Sequence, residues 1–340
     1  MIWLFAFLIA GVDSEDWIRL ETTDPLEVYI QFKTEVARDG SLLIMTPRAL
    51  HHWDNSGLLI NKITRTGPES GFDFIETFHY DPKRKTYWVI DGQRYKSYFY
   101  DAYGELLGQA VGDGLDVDPN KVHFRDLISV GGRIFSVTGA EIDTWGPDSE
   151  DMLQQLTYEK TPEGVVVYKV GRSFARNTEL QREYSFNFKK FWIVQDGFST
   201  RFFIADQFSR KLRIFSAIDG KIDNGLTQLK QTVPLYMPGW VAPPSRQNRN
   251  TSSGSDFHLF SQVIGLYPFK KDLIVGYTVP DGNEDSLNFA LQRISSKGVV
   301  RGEAIQQKGL LMGVHQGKAY VYIEMSDENG KNYIVRKIDL

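Results

Sequence analysis

Six histidines and no cysteine limit the metal and nucleophile chemistry open to this 340-residue chain. A catalytic zinc takes three protein ligands, often histidines, and keeps a fourth position open. His123 and His258 each precede a run that reads as the innermost strand of a repeated unit. His79 and His315 fall toward the far ends of theirs, and His51 and His52 lie on a third strand. Only His123 and His258 converge, which is one ligand short of a three-histidine site. Asp113 and Asp116 add carboxylates, so the candidate metal set is Asp113, Asp116, His123 and His258, for calcium or zinc. With Asp118 this acidic run lacks the spacing and glycine of an EF-hand loop. The chain has no G-x-S-x-G elbow, no phosphate-binding Walker loop and no H-E-x-x-H. The absence of cysteine removes thiolate zinc, a cysteine nucleophile and any disulfide scaffold. No motif requires a cofactor, and none carries catalysis.

Residues suited to binding are more evident. The stretch 226–258 is the longest departure from the repeat, and a connection of that length in a compact fold is commonly functional or disordered. Its first half holds Tyr236, Met237, Pro238, Gly239 and Trp240, and its second half is polar with Arg246 and Arg249. Two readings stand: packing of the aromatics on a sheet edge, or a lid with Trp240 as a stacking platform and the arginines holding an anion. Asn250-Thr251-Ser252 is a glycosylation triplet, meaningful in a eukaryotic secretory setting. Other loops divide by sign. Glu141 and Asp143 lie in an acidic loop without a base, joined by Asp281, Glu284, Asp285 and Asp327. Arg48, Arg94, Lys96, Arg210 and Lys211 come from other units. Solvated charged loops are the simpler explanation; otherwise the face suits a zwitterionic or cationic partner, or a hard cation.

The elements that position these loops form a repeat. No apolar stripe at period 3.6 is sustained, whereas short β-branched and aromatic runs recur between turns. Arg201–Asp206, a short turn and Lys211–Ser216 lead to Asp219-Gly220, with Lys211 and Arg213 alternating against apolar neighbours like a half-buried strand. Tyr87–Asp91 and Ser97–Asp101 lead to Ala102-Tyr103-Gly104. Leu42–Met45 and Leu50–Asp54 lead to Asn55-Ser56-Gly57, and Leu273–Tyr277 and Phe289–Ile294 lead to Ser296-Lys297-Gly298. Weaker copies are Arg133–Val137 with Met152–Tyr158, and Ala319–Glu324 with Asn332–Ile338. Six four-stranded units of roughly 45–55 residues predict an all-β, six-bladed β-propeller with antiparallel blades. A β-sandwich would need no such fixed unit.

The phrase Phe203-Ile204-Ala205-Asp206, then Arg213-Ile214-Phe215, then Asp219-Gly220 resembles the NHL repeat. Gly67-Pro68-Glu69-Ser70-Gly71-Phe72 resembles a loop of exported bacterial six-bladed propellers, although Ser70-Gly71 interrupts its Glu-Phe order. The resemblance implies the fold and export, and no common activity.

Met1–Ala10 is uncharged and apolar, too short to span a bilayer and suited to the core of a secretory signal, though without the usual basic start. A buried first strand is the alternative. Residues 1–16 therefore read as signal peptide and leader, and 17–340 as a single propeller in a periplasmic or secreted protein. With 39 basic and 43 acidic residues the net charge is −4, which gives no long-range pull toward nucleic acid or anionic lipid. Forty-five aromatic residues suit a β-rich fold. The function expected is binding of a protein, peptide or glycan on the loop face, without catalysis and without a membrane span. The alternative is a metal-dependent lyase or hydrolase in the central pocket.

Overall fold

The computed structural model describes residues 16–22, 25–28, 33–46, 48–64, 72, 75–91, 96–111, 123–130, 133–139, 152–160, 166–176, 191–195, 201–217, 226–242, 259–281, 288–327 and 330–340. A short strand, β1 (Trp17–Arg19), comes first. Sheet one follows with β2 (Thr34–Val36), β3 (Leu42–Met45), β4 (Ala49–Trp53) and β5 (Leu59–Thr64). Sheet two has β6 (Ile75–Asp81), β7 (Thr86–Asp91), β8 (Lys96–Tyr100) and β9 (Leu106–Val111). Sheet three has β10 (His123–Val130), β11 (Arg133–Gly139), β12 (Met152–Lys160) and β13 (Val166–Arg176). Sheet four has β14 (Phe191–Gln195), β15 (Arg201–Asp206), β16 (Lys211–Ala217) and β17 (Leu226–Pro234). Sheet five has β18 (Val263–Phe269), β19 (Asp272–Thr278), β20 (Asn288–Ser295) and β21 (Ile305–Lys308). Sheet six has β22 (Leu310–His315), β23 (Lys318–Asp327) and β24 (Gly330–Asp339), with β1 as its fourth strand.

All the pairings are antiparallel, and the chain is an all-β propeller of four-stranded sheets. Consecutive sheets touch, and the sixth returns to the first through β22 and β2. The return is sealed by β1, in register Trp17 to Arg336, Ile18 to Val335 and Arg19 to Ile334. The sequence had placed the last sheet wholly in the C-terminal repeat; its outermost strand comes instead from the N-terminal end. Lys318 Nζ lies 3.0 Å from the Asp16 carboxylate and supports this closure.

Burial follows from stacking. Strands β3, β4 and β19 are buried at every position, because neighbouring sheets cover both faces. Leu43 and Met45 pack toward Phe78, Tyr87 and Val89 of sheet two. Leu42 and Ile44, on the opposite face, meet Leu310, Met312 and Tyr322 of sheet six. Outer strand β21 alternates half-buried and exposed residues, as a one-sided strand should. The half-buried reading of Lys211–Ser216 is therefore corrected. Lys211 is exposed but Arg213 is buried with Leu212 and Ile214, since β16 is a third strand covered on both faces.

One turn recurs where third strands pass to fourth. Asp54 Oδ1 accepts from the amides of Ser56 and Leu58, and Asp101 Oδ1 from those of Tyr103 and Glu105. Ser295 Oγ accepts from the amides of Lys297 and Val299 in the same way. Each turn ends in a glycine with positive φ: Gly57 at 94°, Gly104 at 80° and Gly298 at 80°. Each glycine also meets the outer strand of the preceding sheet. A Cβ on Gly57 would lie 2.1 Å from the Arg19 carbonyl oxygen, on Gly104 2.9 Å from Asn61 Oδ1, and on Gly298 2.0 Å from Val233 Cγ1. Gly57→Ala combines a left-handed alanine with a backbone clash, and should cost about 3 kcal/mol. Gly302→Ala, at φ 71° with open space around it, should cost only about 1 kcal/mol. Urea unfolding of both variants gives the difference, and equal losses would contradict the close approach.

A polar network is buried between sheets one and two. Asn61 Nδ2 donates to the Ala102 carbonyl, and the Tyr87 hydroxyl lies 2.6 Å from His52 Nδ1. His52 Nε2 has no hydrogen-bond partner, and the ring packs 4.5 Å from Tyr80. Burial draws the His52 value down to about 4 against the attraction of Asp39 and Asp54. The neutral ring's contribution is therefore complete above the unfolded value and is withdrawn as pH falls through 4. His52→Gln should flatten the loss of stability between about pH 6.5 and 4, by on the order of 2–3 kcal/mol. Chemical unfolding at stepped pH measures this slope, and an unchanged slope would exclude His52 as its source.

Candidate ligand-binding face

Within each sheet the second-to-third connection and the exit of the fourth strand emerge at one end of the molecule. This follows from antiparallel order, and hydrogen bonds at sheets four and five show it directly. The Leu235 amide, after β17, donates to the Arg210 carbonyl in the β15–β16 turn. The Val263 amide, opening β18, donates to the Gln207 carbonyl of that same turn. Gln262 and Thr278 exchange bonds at the end of β19, through the Thr278 amide to the Gln262 carbonyl and the Gln262 amide to Thr278 Oγ1.

Across this end runs a strap, residues 235–242. The stretch read as an insertion from Leu226 begins with β17, which supplies the fourth strand of sheet four; the strap starts after it. Leu235 and Met237 are buried with Val233, Val275 and Tyr277 in the core between sheets four and five. Tyr277 Oη donates to the Pro238 carbonyl at 3.0 Å, and the Trp240 ring lies 6.1 Å from that of Tyr277, tilted by 49°. Burial raises the Tyr277 hydroxyl, with a smaller contribution from Tyr236, so it remains a donor. Gly239 turns at φ 75° and its Cβ position lies 3.1 Å from Val279 Cγ1. Beyond it the Val241 amide donates to Ser261 Oγ, and the Ser261 amide to the Val241 carbonyl. The buried Gln207 side chain donates to that of Gln262 at 2.8 Å beneath the strap.

A pinned strap thus leaves Tyr236, 66% exposed, and Val241 outward, and Leu259 before β18 is exposed as well. Exposed Arg210 flanks it at the Leu235 end. Near Gly239, Val279 leads to Asp281, whose carboxylate accepts from Asn288 Nδ2 at 2.7 Å. An aromatic surface held by its own core contacts and bordered by both charge signs can present a fixed stacking platform to a ligand. Of the residues expected to bind, Tyr236 and Trp240 lie on the strap, Trp240 against Tyr277, and Arg210 lies in the turn whose carbonyl holds the Leu235 amide. Arg94, Arg246, Arg249, Glu141 and Asp143 lie outside the described residues, as do Asp113, Asp116 and His258. His123 is the first residue of β10, paired with Gly139. Among the described residues no group of three or more potential ligands could hold a metal ion. No helix of the described residues is long and apolar enough to cross a membrane. Gln207, Gln262 and Asn288 were missed in sequence, because each acts through a distant strand end and none has a local signal.

No family model matches the chain, and no curated protein matches its sequence. Solved structures do resemble it in fold. A protein described as exported from Bacteroides fragilis is 13% identical with a TM-score of 0.50, over 97% of each chain. A member of the DUF4221 family from Bacteroides vulgatus is 9% identical with a TM-score of 0.54, over 96% of this chain and 99% of that one. Regucalcin of Agrobacterium tumefaciens, a calcium-binding protein, is 12% identical with a TM-score of 0.50 over 94% of both. At these identities the likeness is one of fold.

Since Trp240 packs on Tyr277, Trp240→Ala should cost about 2–3 kcal/mol of stability, whereas exposed Tyr236→Ala should stay within about 0.5 kcal/mol. Equal unfolding midpoints for the two variants would show that the strap is not anchored through Trp240.

Proposed function

We propose that this protein is an exported binding propeller, periplasmic or secreted, whose six sheets act as the six blades of one ring. It holds a peptide, protein or glycan on the strap end and performs no catalysis. The observation that carries this reading is the exposed Tyr236 on a strap fixed from below by Leu235, Met237 and Trp240. A large aromatic kept in water by a rigid support has no folding role, so it is available for stacking. The fold-level likeness to an exported protein supports the location, and the NHL-like phrase of β15 and β16 supports the blade count.

Thermal unfolding of the chain with peptide and glycan panels tests this. A ligand at about 100 times its dissociation constant should add about 2.7 kcal/mol, and Tyr236→Ala should abolish the gain. A gain that survives in Tyr236→Ala, or none with any compound, would overturn it. A gain from calcium or zinc alone, reversed by EDTA, would instead favour a metal-dependent lyase or hydrolase using Asp113, Asp116, His123 and His258.

A further inference from the structure

The end opposite the strap carries the first-to-second connections, and their composition is one-sided. Arg38 stands in the turn of sheet one, Lys83, Arg84 and Lys85 in that of sheet two, and Lys270 and Lys271 in that of sheet five; all are exposed. Lys318 opens β23 beside the corresponding turn of sheet six. These turns adjoin. The Cβ position of Gly317 lies 3.8 Å from Phe269 Cε2, and that of Gly40 lies 3.8 Å from His315 Nε2, so the turns of sheets five, six and one form an arc. Ala37, beside Arg38, shares one buried cluster with Tyr80, beside Asp81, which brings sheet two into that arc.

The acids of the first-to-second turns are held locally, and the third-to-fourth turns at the same end add Asp54 and Asp101, each bonded to its own turn amides, and exposed Glu105. Asp81 pairs with Arg84 at 2.6 Å. Buried Asp272 takes Arg293 at 2.7 Å and Arg301 at 3.4 Å. Asp16 and Asp339 take Lys318, and Asp39 accepts from the Ser41 hydroxyl and amide. Among the described residues, Arg38, Lys83, Lys85 and Lys271 form no ion pair.

Backbone conformation is an independent pointer. Among the described residues the non-glycine residues with positive φ are Lys85 at 53°, Lys270 at 54° and Gln316 at 48°, all in these turns. Sheets one and six place glycines there, Gly40 at 84° and Gly317 at 81°. Lys270 Nζ lies 5.3 Å from the Phe269 ring centre and so has a contact within the fold, whereas a left-handed lysine at 85 is strained where glycine or asparagine would not be. Strain that the fold does not need points to a function for the side chain.

We propose that this end docks on an anionic lipid surface, with Arg38, Lys83, Lys85, Lys270 and Lys271 meeting the phosphate headgroups. The cations sit on short hairpin tips of different sheets, so they spread over an end face rather than line a groove, which suits an extended sheet of charge. Strand β1 begins at the same end, since Trp17 pairs with Arg336 near the close of β24. The net charge of −4 gives the whole molecule no attraction to such a surface; the face does, because the field acts within a Debye length of about 8–10 Å.

The test is co-sedimentation of the full chain with phosphatidylglycerol-containing vesicles and with neutral phosphatidylcholine vesicles, read as the ratio of the two partition coefficients. Any apolar contribution from Met1–Ala10 cancels in that ratio. The ratio should exceed unity, fall with added salt, and drop about fivefold for each cation removed. The triple variant Lys85→Gly, Lys270→Gly, Lys271→Asn should lose about a hundredfold while its unfolding midpoint stays level or rises. Lys308→Gln, at the strap end, should leave the ratio unchanged. A ratio near unity for the unaltered chain, an unaffected triple variant, or an equal loss in Lys308→Gln would overturn the proposal. Displacement from vesicles by dextran sulfate at trace concentration would also overturn it, in favour of a soluble polyanion.

Discussion

Every sheet in this molecule depends on the face of its neighbour. A single four-stranded sheet with apolar residues on both sides cannot bury them alone, and residues such as Leu42 and Leu43, adjacent in sequence, enter two different cores. Each fully buried aliphatic or aromatic side chain is worth about 1.5–3 kcal/mol, so the loss of one interface would strand many of them in water. The spacing between sheets is then set by the turn glycines, which let one sheet's third-to-fourth turn lie against the outer strand of the sheet before it. Those turns are the shared dimension of the repeat, and they explain why a Cβ at Gly57 or Gly298 has no room although both positions lie near the surface.

A ring built this way must also be closed, and closure falls to the shortest strand. β1 supplies three residues, with Ile18 in the core between sheets six and one and the Arg336 guanidinium stacked 5.9 Å from the Trp17 ring centre. Just past it, the Leu20 amide bonds the Tyr333 carbonyl and the Glu21 amide bonds that of Gly57. The join is thus braced to both sheets. Closing it requires contacts across almost the whole chain, a loop-closure cost that no local repeat incurs.

Much of this was legible in the residues. The third strands of sheets one, two and five carry apolar runs ended by Asp or Ser and a glycine three residues on, and that pattern is the physical turn. What could not be read has a physical reason in each case. Trp17-Ile18-Arg19 carries no turn signal and takes its meaning from a partner strand near the other end of the sequence. Arg213 reads as an outward cation because alternation assumes a one-sided strand, whereas stacking covers both sides of β16. The aromatic content of the strap was visible, but its anchoring was not, because Tyr277 and Pro238 meet only once two sheets are stacked.

The strap itself is more than the fold demands. The return from an outermost strand to the next innermost one can be made by a single residue, as Gly309 shows between β21 and β22. There φ is 114° and a Cβ would lie 2.7 Å from the Tyr322 carbonyl oxygen, so the crossing is as tight as a backbone allows. Between β17 and β18 the described residues of the same crossing are 235–242 and 259–262. Leu235 and Met237 repay part of that ordering by burial, yet Tyr236, Val241 and Leu259 do not, since they stand in solvent. Extra chain ordered over a core while presenting apolar side chains outward is a cost in the free protein. The fold gains nothing from that outward surface, and a bound partner would.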